Sequence, residues 1–144
     1  MDGPFDLERF VEAQRPIYDR AVAELRDGYK QSHWMWFIFP QLAGLGRSDL
    51  ARYYALSSAA EARAFFEHPV LGPRLRECTA ALLACSVPSA AEIMGDVDAL
   101  KLRSSMTLFL RVAPEETSFA EVLQRFYSAM PDPATDELLR PGVL

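Results

Sequence analysis

Apolar residues recur at the three- and four-residue spacing of a helix over most of the chain, with polar residues between them. The first stripe follows steps of three and four residues: Leu7, Phe10, Val11, Gln14, Tyr18, Ala21, Val22 and Leu25. This spacing predicts a helix that begins with Asp6 as its N-cap and ends at Gly28. Pro16 falls inside the stripe, and proline disrupts a helix interior, so the helix is either kinked there or broken into two.

The segment 31–41 has no polar face at its centre, so periodicity does not assign its structure. It is either a short buried helix capped by Ser32 or a buried extended segment, and Pro40 ends it. In both cases the segment belongs to the core. Residues 42–46 contain two glycines and predict a flexible loop.

Capping residues and prolines divide the rest of the chain into further helices. The predicted helix starts are Ser48, the capping box Ser58–Glu61, Val70, Pro88, Asp98 and Ser118, and a last short helix lies near Leu138 and Leu139. Neither strand alternation nor an internal repeat is visible. The sequence therefore predicts an all-α fold, a single compact domain over residues 1–144 with about six to eight helices, several of them short.

Composition and charge narrow the classes of function. The chain has 144 residues, the usual size of one domain, and its net charge of −5 argues against a general nucleic-acid binder. Its longest wholly apolar run, Trp34–Phe39, is too short to span a membrane, and the acidic start does not resemble a signal peptide. We therefore expect a cytoplasmic protein. Cys78 and Cys85 lie too far apart along one predicted helix to form a disulfide.

The first candidate site is the segment that carries His33, Trp34 and Trp36. An indole can stack on the ring of a ligand, and an imidazole can donate or accept a proton. On this interpretation His33 is a catalytic residue, and Trp34, Trp36 and Gln41 bind the ligand. The alternative is a histidine at the edge of an aromatic core.

The second candidate site consists of Lys101, Arg103, Ser104 and Ser105. Lys101 and Ser105 lie one turn apart on the same face of a helix predicted to start near Ala99. Both would then lie in the first two turns, where the helix dipole favours an anion. These cations and hydroxyls can hold a phosphate or a carboxylate. The alternative is an amphipathic helix with a solvated face.

The remaining polar residues predict structural roles. His68 precedes Pro69 at a predicted helix end, where an imidazole cap is the simplest interpretation. A metal site would have to join His33 and His68 with carboxylates that show no ligand spacing. We therefore expect neither a metal nor a cofactor.

Five segments of the chain carry a recognisable pattern: residues 6–14, 32–41, 44–46, 68–72 and 98–109. Together they resemble DUF1810, a bacterial family of unknown function. The likeness covers nearly the whole chain, and the run SHWMWFIFPQ is its most specific part. It implies a compact, all-helical cytosolic domain and brings no established activity. Some members are labelled calpastatin, a label that the sequence does not support, since such an inhibitor is long, disordered and repetitive.

A second likeness covers a shorter stretch, the lysine-bearing helix with Met106 and Phe109 at the following turns. It is similar to helical domains that process ADP-ribose derivatives and related N-glycosides, and it suggests that ligand class. In an enzyme form, His33 and an acidic partner move protons, a tryptophan stacks a ring, and Lys101 with the two serines holds the anionic group of a nucleotide-like metabolite.

The alternative hypothesis is that the chain is a non-enzymatic protein-interaction module. There the same segments are structural core, and the function lies on a surface that meets a protein partner of unknown identity. Neither nucleic acid nor a membrane is an expected partner. Whether the chain is an enzyme is also left open by the sequence.

Overall fold

The computed structural model describes residues 5–140 and places ten helices in that part of the chain. Their bounds are α1 Glu8–Gln14, α2 Tyr18–Asp27, α3 Met35–Ile38, α4 Asp49–Tyr53, α5 Ala59–Glu67, α6 Leu71–Ala84, α7 Ala90–Met94, α8 Asp96–Val112, α9 Ser118–Tyr127 and α10 Pro133–Leu138. The all-α prediction is confirmed. The predicted number of about six to eight was too low, partly because the first predicted helix is two.

The first predicted helix is broken at Pro16, not kinked. Residues 15–17 form a turn between α1 and α2, as expected where proline prevents continuous helical hydrogen bonding. Asp6 is not the N-cap; Leu7 holds that position and makes no side-chain cap. Gly28 ends α2 as predicted, in the left-handed conformation with φ of 74°.

The apolar segment after α2 is a short helix and not an extended segment. The helix, α3, has only four residues. Its N-cap is Trp34, not Ser32. The Ser32 hydroxyl donates instead to the carboxylate of Glu24, 2.6 Å away, which removes it from the helix end. Tertiary hydrogen bonding has therefore overridden the local capping signal.

Two of the predicted N-caps are confirmed by direct contacts. The Ser48 hydroxyl accepts the backbone N–H of Ala51, and the Ser58 hydroxyl accepts the backbone N–H of Glu61. The Glu61 carboxylate in turn accepts the N–H of Ser57 at 2.7 Å. The entry to α5 is thus fixed by two hydrogen bonds that differ from a capping box in one partner, because the backbone donor to Glu61 is Ser57 and not the N-cap Ser58.

Three other predicted helix starts were wrong by a few residues. Pro88 precedes the N-cap of α7, which is Ser89. Helix α8 begins at Asp96, so Asp98 lies inside its first turn and is not a cap. Helix α9 begins at Ser118 itself, whose hydroxyl contacts Glu116.

His68 caps a helix, but not the end that the sequence suggested. Its Nδ1 atom accepts the backbone N–H groups of Val70 and Leu71 at 3.1 and 3.2 Å. These groups belong to the start of α6, because the chain has already turned out of α5 at His68. The imidazole therefore joins two helices and serves a structural role.

Helix α8 lies at the centre of the molecule and packs against α5, α7, α9 and α10. A row of buried aromatic rings connects it to α1, α5 and α9. Phe109 of α8 contacts Phe65 of α5 and Phe119 of α9, and Phe65 contacts Phe10 of α1 with 5.0 Å between ring centroids. None of the helices in residues 5–140 has the length and hydropathy needed to cross a bilayer.

Candidate functional site

A surface cleft of about 320 Å³ opens between the loop after α3, the first half of α8 and the start of α10. We call it the outer cleft. Its lining residues are Gln41, Leu45, Gly46, Val97, Leu100, Lys101, Arg103, Ser104, Asp132 and Ala134. Ligand pockets commonly measure about 300–1,000 Å³, so the outer cleft suits a small ligand.

A second and much smaller cavity, of about 10 Å³, lies beside the outer cleft. We call it the inner chamber. It is lined by Met35, Trp36, Phe39, Gln41, Leu42, Gly46, Ala51, Tyr54 and Lys101. Gln41, Gly46 and Lys101 line both spaces. A cavity of this size holds about one water-sized group.

The loop wall is fixed in place by backbone pairing. Leu56 donates its N–H to the carbonyl of Gln41 at 2.9 Å, and Ala43 donates to the carbonyl of Leu56 at 2.8 Å. These bonds form an isolated bridge between Leu42 and Leu56. The position of Gln41 is therefore set by main-chain contacts, independently of its side chain.

Lys101 contributes a positively charged side chain to the lining of both cavities. Its Nζ atom lies 5.5 Å from the centroid of the Trp36 ring and 3.9 Å from Oδ1 of Asp98. The other oxygen of Asp98 lies 3.0 Å from Nζ of Lys30, a side chain that is only 8% exposed. Because two ammonium groups share one carboxylate, the group retains one positive charge. Such a site favours a negatively charged ligand.

The opposite wall is held by polar contacts between α8 and the start of α10. Arg103 donates from Nε and Nη2 to the carbonyls of Met130 and Pro131, at 2.9 and 2.8 Å. Ser104 donates to the carboxylate of Asp132 at 3.0 Å. Asp132 also accepts the N–H of Thr135 and thereby caps α10. Arg103 and Ser104 thus build the wall of the outer cleft.

The structure brings together five of the eight residues that the sequence singled out. Trp36, Gln41, Lys101, Arg103 and Ser104 line the outer cleft or the inner chamber. His33 is exposed and lines neither cavity. Trp34 and Ser105 are fully buried and also lie outside both linings. The ring of Trp34 accordingly offers no open face for a ligand.

The expected position within the first two turns of the helix holds for Lys101 and was wrong for Ser105. Because α8 begins at Asp96, Lys101 lies in its second turn, and Ser104 and Ser105 lie in its third. The dipole acts mainly within the first turn of a helix. Anion binding at this site would therefore depend on the Lys101 ammonium rather than on the helix end.

The sequence interpretation missed Glu24, the buried carboxylate that organises the first candidate segment. Its Oε1 atom accepts the backbone N–H groups of Gln31 and Ser32 and the indole N–H of Trp34, at 2.9, 3.0 and 2.9 Å. The Arg20 guanidinium lies 3.1 Å from its other oxygen. The one signal in the sequence is an acidic residue directly beside the apolar stripe of α2.

These hydrogen bonds change the acidity of Glu24. Burial alone would raise the pKa of its carboxyl, but the donors on Ser32, Gln31 and Trp34 outweigh burial and lower the pKa to about 2. The group is therefore ionised at neutral pH. Its negative charge holds the segment that leads into α3 and, through it, the position of Trp36.

No three His, Cys, Asp or Glu side chains within residues 5–140 are arranged to hold a metal ion. The polar groups that line the two cavities are mostly hydrogen-bond donors, with one carboxylate: the Lys101 ammonium, the Arg103 guanidinium, the Gln41 amide, the Ser104 and Tyr54 hydroxyls, the Trp36 indole N–H and the Asp132 carboxylate. The donors among them suit hydrogen bonding to oxygen atoms of an organic ligand.

Comparisons with known proteins found one family model and a similar solved structure. The family model DUF1810, described as a protein of unknown function, matches residues 4–139. The crystal structure of the conserved hypothetical protein Rv1873 from Mycobacterium tuberculosis is similar, with 51% sequence identity and a TM-score of 0.93. The match covers 94% of this chain and 97% of that one. No curated protein matches the sequence.

Proposed function

We propose that this chain, which belongs to the DUF1810 family, binds a small anionic metabolite in the outer cleft. The position of Lys101 is the observation that carries the proposal. Lys101 lines both cavities, its ammonium lies 5.5 Å from the centroid of the Trp36 ring, and its acidic neighbour Asp98 is already paired with Lys30. An anion in the cleft would therefore meet a cation that is incompletely neutralised.

The rest of the cleft favours a ligand with a planar apolar part. Val97 and Leu100 line the cleft and remain 67% and 66% exposed, so they present apolar surface at its mouth. A ring placed there would cover them, while its polar end would reach Gln41 and Lys101. This combination of an apolar wall and a few polar groups is typical of metabolite sites. It supports a nucleotide-like ligand of the ADP-ribose or N-glycoside type.

The proposal concerns binding and assigns no catalytic step. The sequence offered His33 as a proton-transfer group, but His33 lines neither cavity. The Asp132 carboxylate, which does line the outer cleft, is already engaged by Ser104 and Thr135. The geometry thus supports recognition of a ligand more directly than acid–base chemistry on it.

We expect a ligand of this class to raise the melting temperature of the protein. The measurement is thermal denaturation with nucleotides, NAD, ADP-ribose, nucleosides and sugar phosphates. A ligand at about 100 times its Kd adds about 2.7 kcal/mol to the free energy of unfolding, which raises Tm by several degrees in a domain of this size.

Two matched variants locate the binding. Leu100→Glu places a carboxylate on the wall of the outer cleft, whereas Leu50→Glu places one on α4, outside the cleft lining. Both leucines are largely exposed, so both variants should fold. We expect Leu100→Glu to abolish the shift and Leu50→Glu to retain it. A flat panel, or equal shifts in both variants, would contradict the proposal and favour the protein-interaction alternative.

A further inference from the structure

The two indole groups of the chain differ in their hydrogen bonding. The Nε1–H of Trp34 donates to Glu24 at 2.9 Å. The Nε1 atom of Trp36 is also buried, but no protein group in residues 5–140 accepts its hydrogen. Buried polar groups nearly always have partners, so an unmatched donor in a cavity wall suggests a ligand site.

The inner chamber provides a place for the missing acceptor. Trp36 forms part of its wall, and the chamber has room for about one oxygen-sized group. Gln41 and Lys101 also line it, and they add amide and ammonium donors to the indole donor. The same two residues line the outer cleft, so a group in the chamber would be adjacent to a ligand in the cleft.

We propose that the inner chamber receives one oxygen of a carboxylate or phosphate group, with Trp36 donating its indole N–H to that oxygen. Lys101 supplies the compensating charge. The inference rests on the proposed function and refines it, because it orients the ligand: the anionic end points inward to Trp36, and the planar part stays beside Leu100. An anionic oxygen fits better than a neutral one, since the chamber wall offers several donors and a positive charge.

The presence of only two tryptophans makes the inference directly measurable. In the ¹⁵N-labelled protein, each indole N–H gives one NMR signal, and Trp36→Phe assigns them. The protein is titrated with formate and, separately, with inorganic phosphate. Formamide serves as the neutral control, and sodium chloride controls for ionic strength. The two acids distinguish a carboxylate from a phosphate oxygen.

We expect formate or phosphate to move the Trp36 signal downfield in a saturable manner and to leave the Trp34 signal in place. Lys101→Met should weaken this binding at least tenfold, because it keeps an unbranched apolar side chain and removes the charge. The inference is overturned if neither acid moves the Trp36 signal, if formamide or chloride moves it equally, or if both indole signals move together.

Failure of this inference is distinguishable from failure of the proposed function. If Leu100→Glu abolishes binding of a metabolite that leaves the Trp36 signal unmoved, the outer cleft binds that metabolite and the inner chamber does not receive its oxygen. Unchanged affinity of Trp36→Phe for the same metabolite would also overturn the inference alone, since phenylalanine keeps a ring and lacks the N–H donor.

Discussion

Replacement of Glu24 by alanine is expected to lower the free energy of unfolding by about 4 kcal/mol. The substitution removes the acceptor for two backbone N–H groups, a hydroxyl and an indole N–H. A buried donor left without an acceptor costs about 1–3 kcal/mol, and several would be left here. Urea denaturation measures the loss. It is large for a domain whose total stability is typically about 5–15 kcal/mol.

Two further variants test the cause of that loss. Glu12→Ala removes an exposed carboxylate that pairs with Arg15, and it should leave stability nearly unchanged. Glu24→Gln keeps an amide oxygen as acceptor and should have an intermediate effect. A Glu24→Ala protein as stable as the Glu12→Ala protein would show that the hydrogen-bonded carboxylate does not hold the segment.

The charge of Glu24 also makes the free energy of unfolding depend on pH in the acid range. Because the pKa of Glu24 is lowered from 4.5 to about 2, the ionised carboxylate stabilises the fold at neutral pH. That contribution is fully present above about pH 4.5 and is lost as the pH falls toward 2. Over this interval the stability of the unmodified protein should fall more steeply than that of Glu24→Gln.

Gly72→Ala is expected to lower the free energy of unfolding by about 3 kcal/mol, through a steric conflict. A Cβ atom at Gly72 would overlap the carbonyl oxygen of Phe66, near the end of α5. A backbone carbonyl cannot turn aside as a flexible side chain can, so α5 and α6 would have to separate. The N–H of Gly72 also donates to the carbonyl of His68, which keeps this corner tight. Urea denaturation measures the effect.

Gly95→Ala is the matched control for this prediction. Gly95 has a left-handed φ of 87°, but a Cβ there would meet no atom within 4 Å. Its substitution should therefore cost only the conformational strain, about 1–3 kcal/mol, since a ψ of 163° at this positive φ is a conformation open almost only to glycine. If Gly95→Ala proved more destabilising than Gly72→Ala, the close approach of α5 and α6 would not be the controlling feature.

Local signals predicted the helices well where capping side chains had no competing partner. Ser48 and Ser58 cap helices as expected, because each hydroxyl contacts a backbone N–H three residues away. Ser32 and Asp98 are equally suitable N-cap residue types. The side chain of Ser32, however, contacts Glu24 on α2, and the side chain of Asp98 contacts Lys30, which is distant in sequence. Pairing of this kind depends on tertiary structure and is not visible in a local pattern.

The sequence predicted the kinds of chemical group at the candidate site better than it predicted which residues line the cavities. The sequence associated an indole with Lys101, and the structure places Lys101 over Trp36. It could not decide between Trp34 and Trp36, because both lie in the same apolar run and only the packing of Glu24 sends Trp34 into the core. The exposure of Leu100 at the mouth of the cleft also depends on tertiary packing and had no local signal.

The most direct test of anion binding in the outer cleft is calorimetric titration. The metabolite that raises Tm most is titrated into each of three proteins. These are the unmodified chain, Lys101→Met, and Arg15→Met, which removes a charge from an exposed ion pair outside the cleft lining. We predict that Kd rises at least tenfold in Lys101→Met, which corresponds to about 1.4 kcal/mol, and stays unchanged in Arg15→Met. Equal Kd values in all three proteins would show that the Lys101 ammonium does not bind the anion.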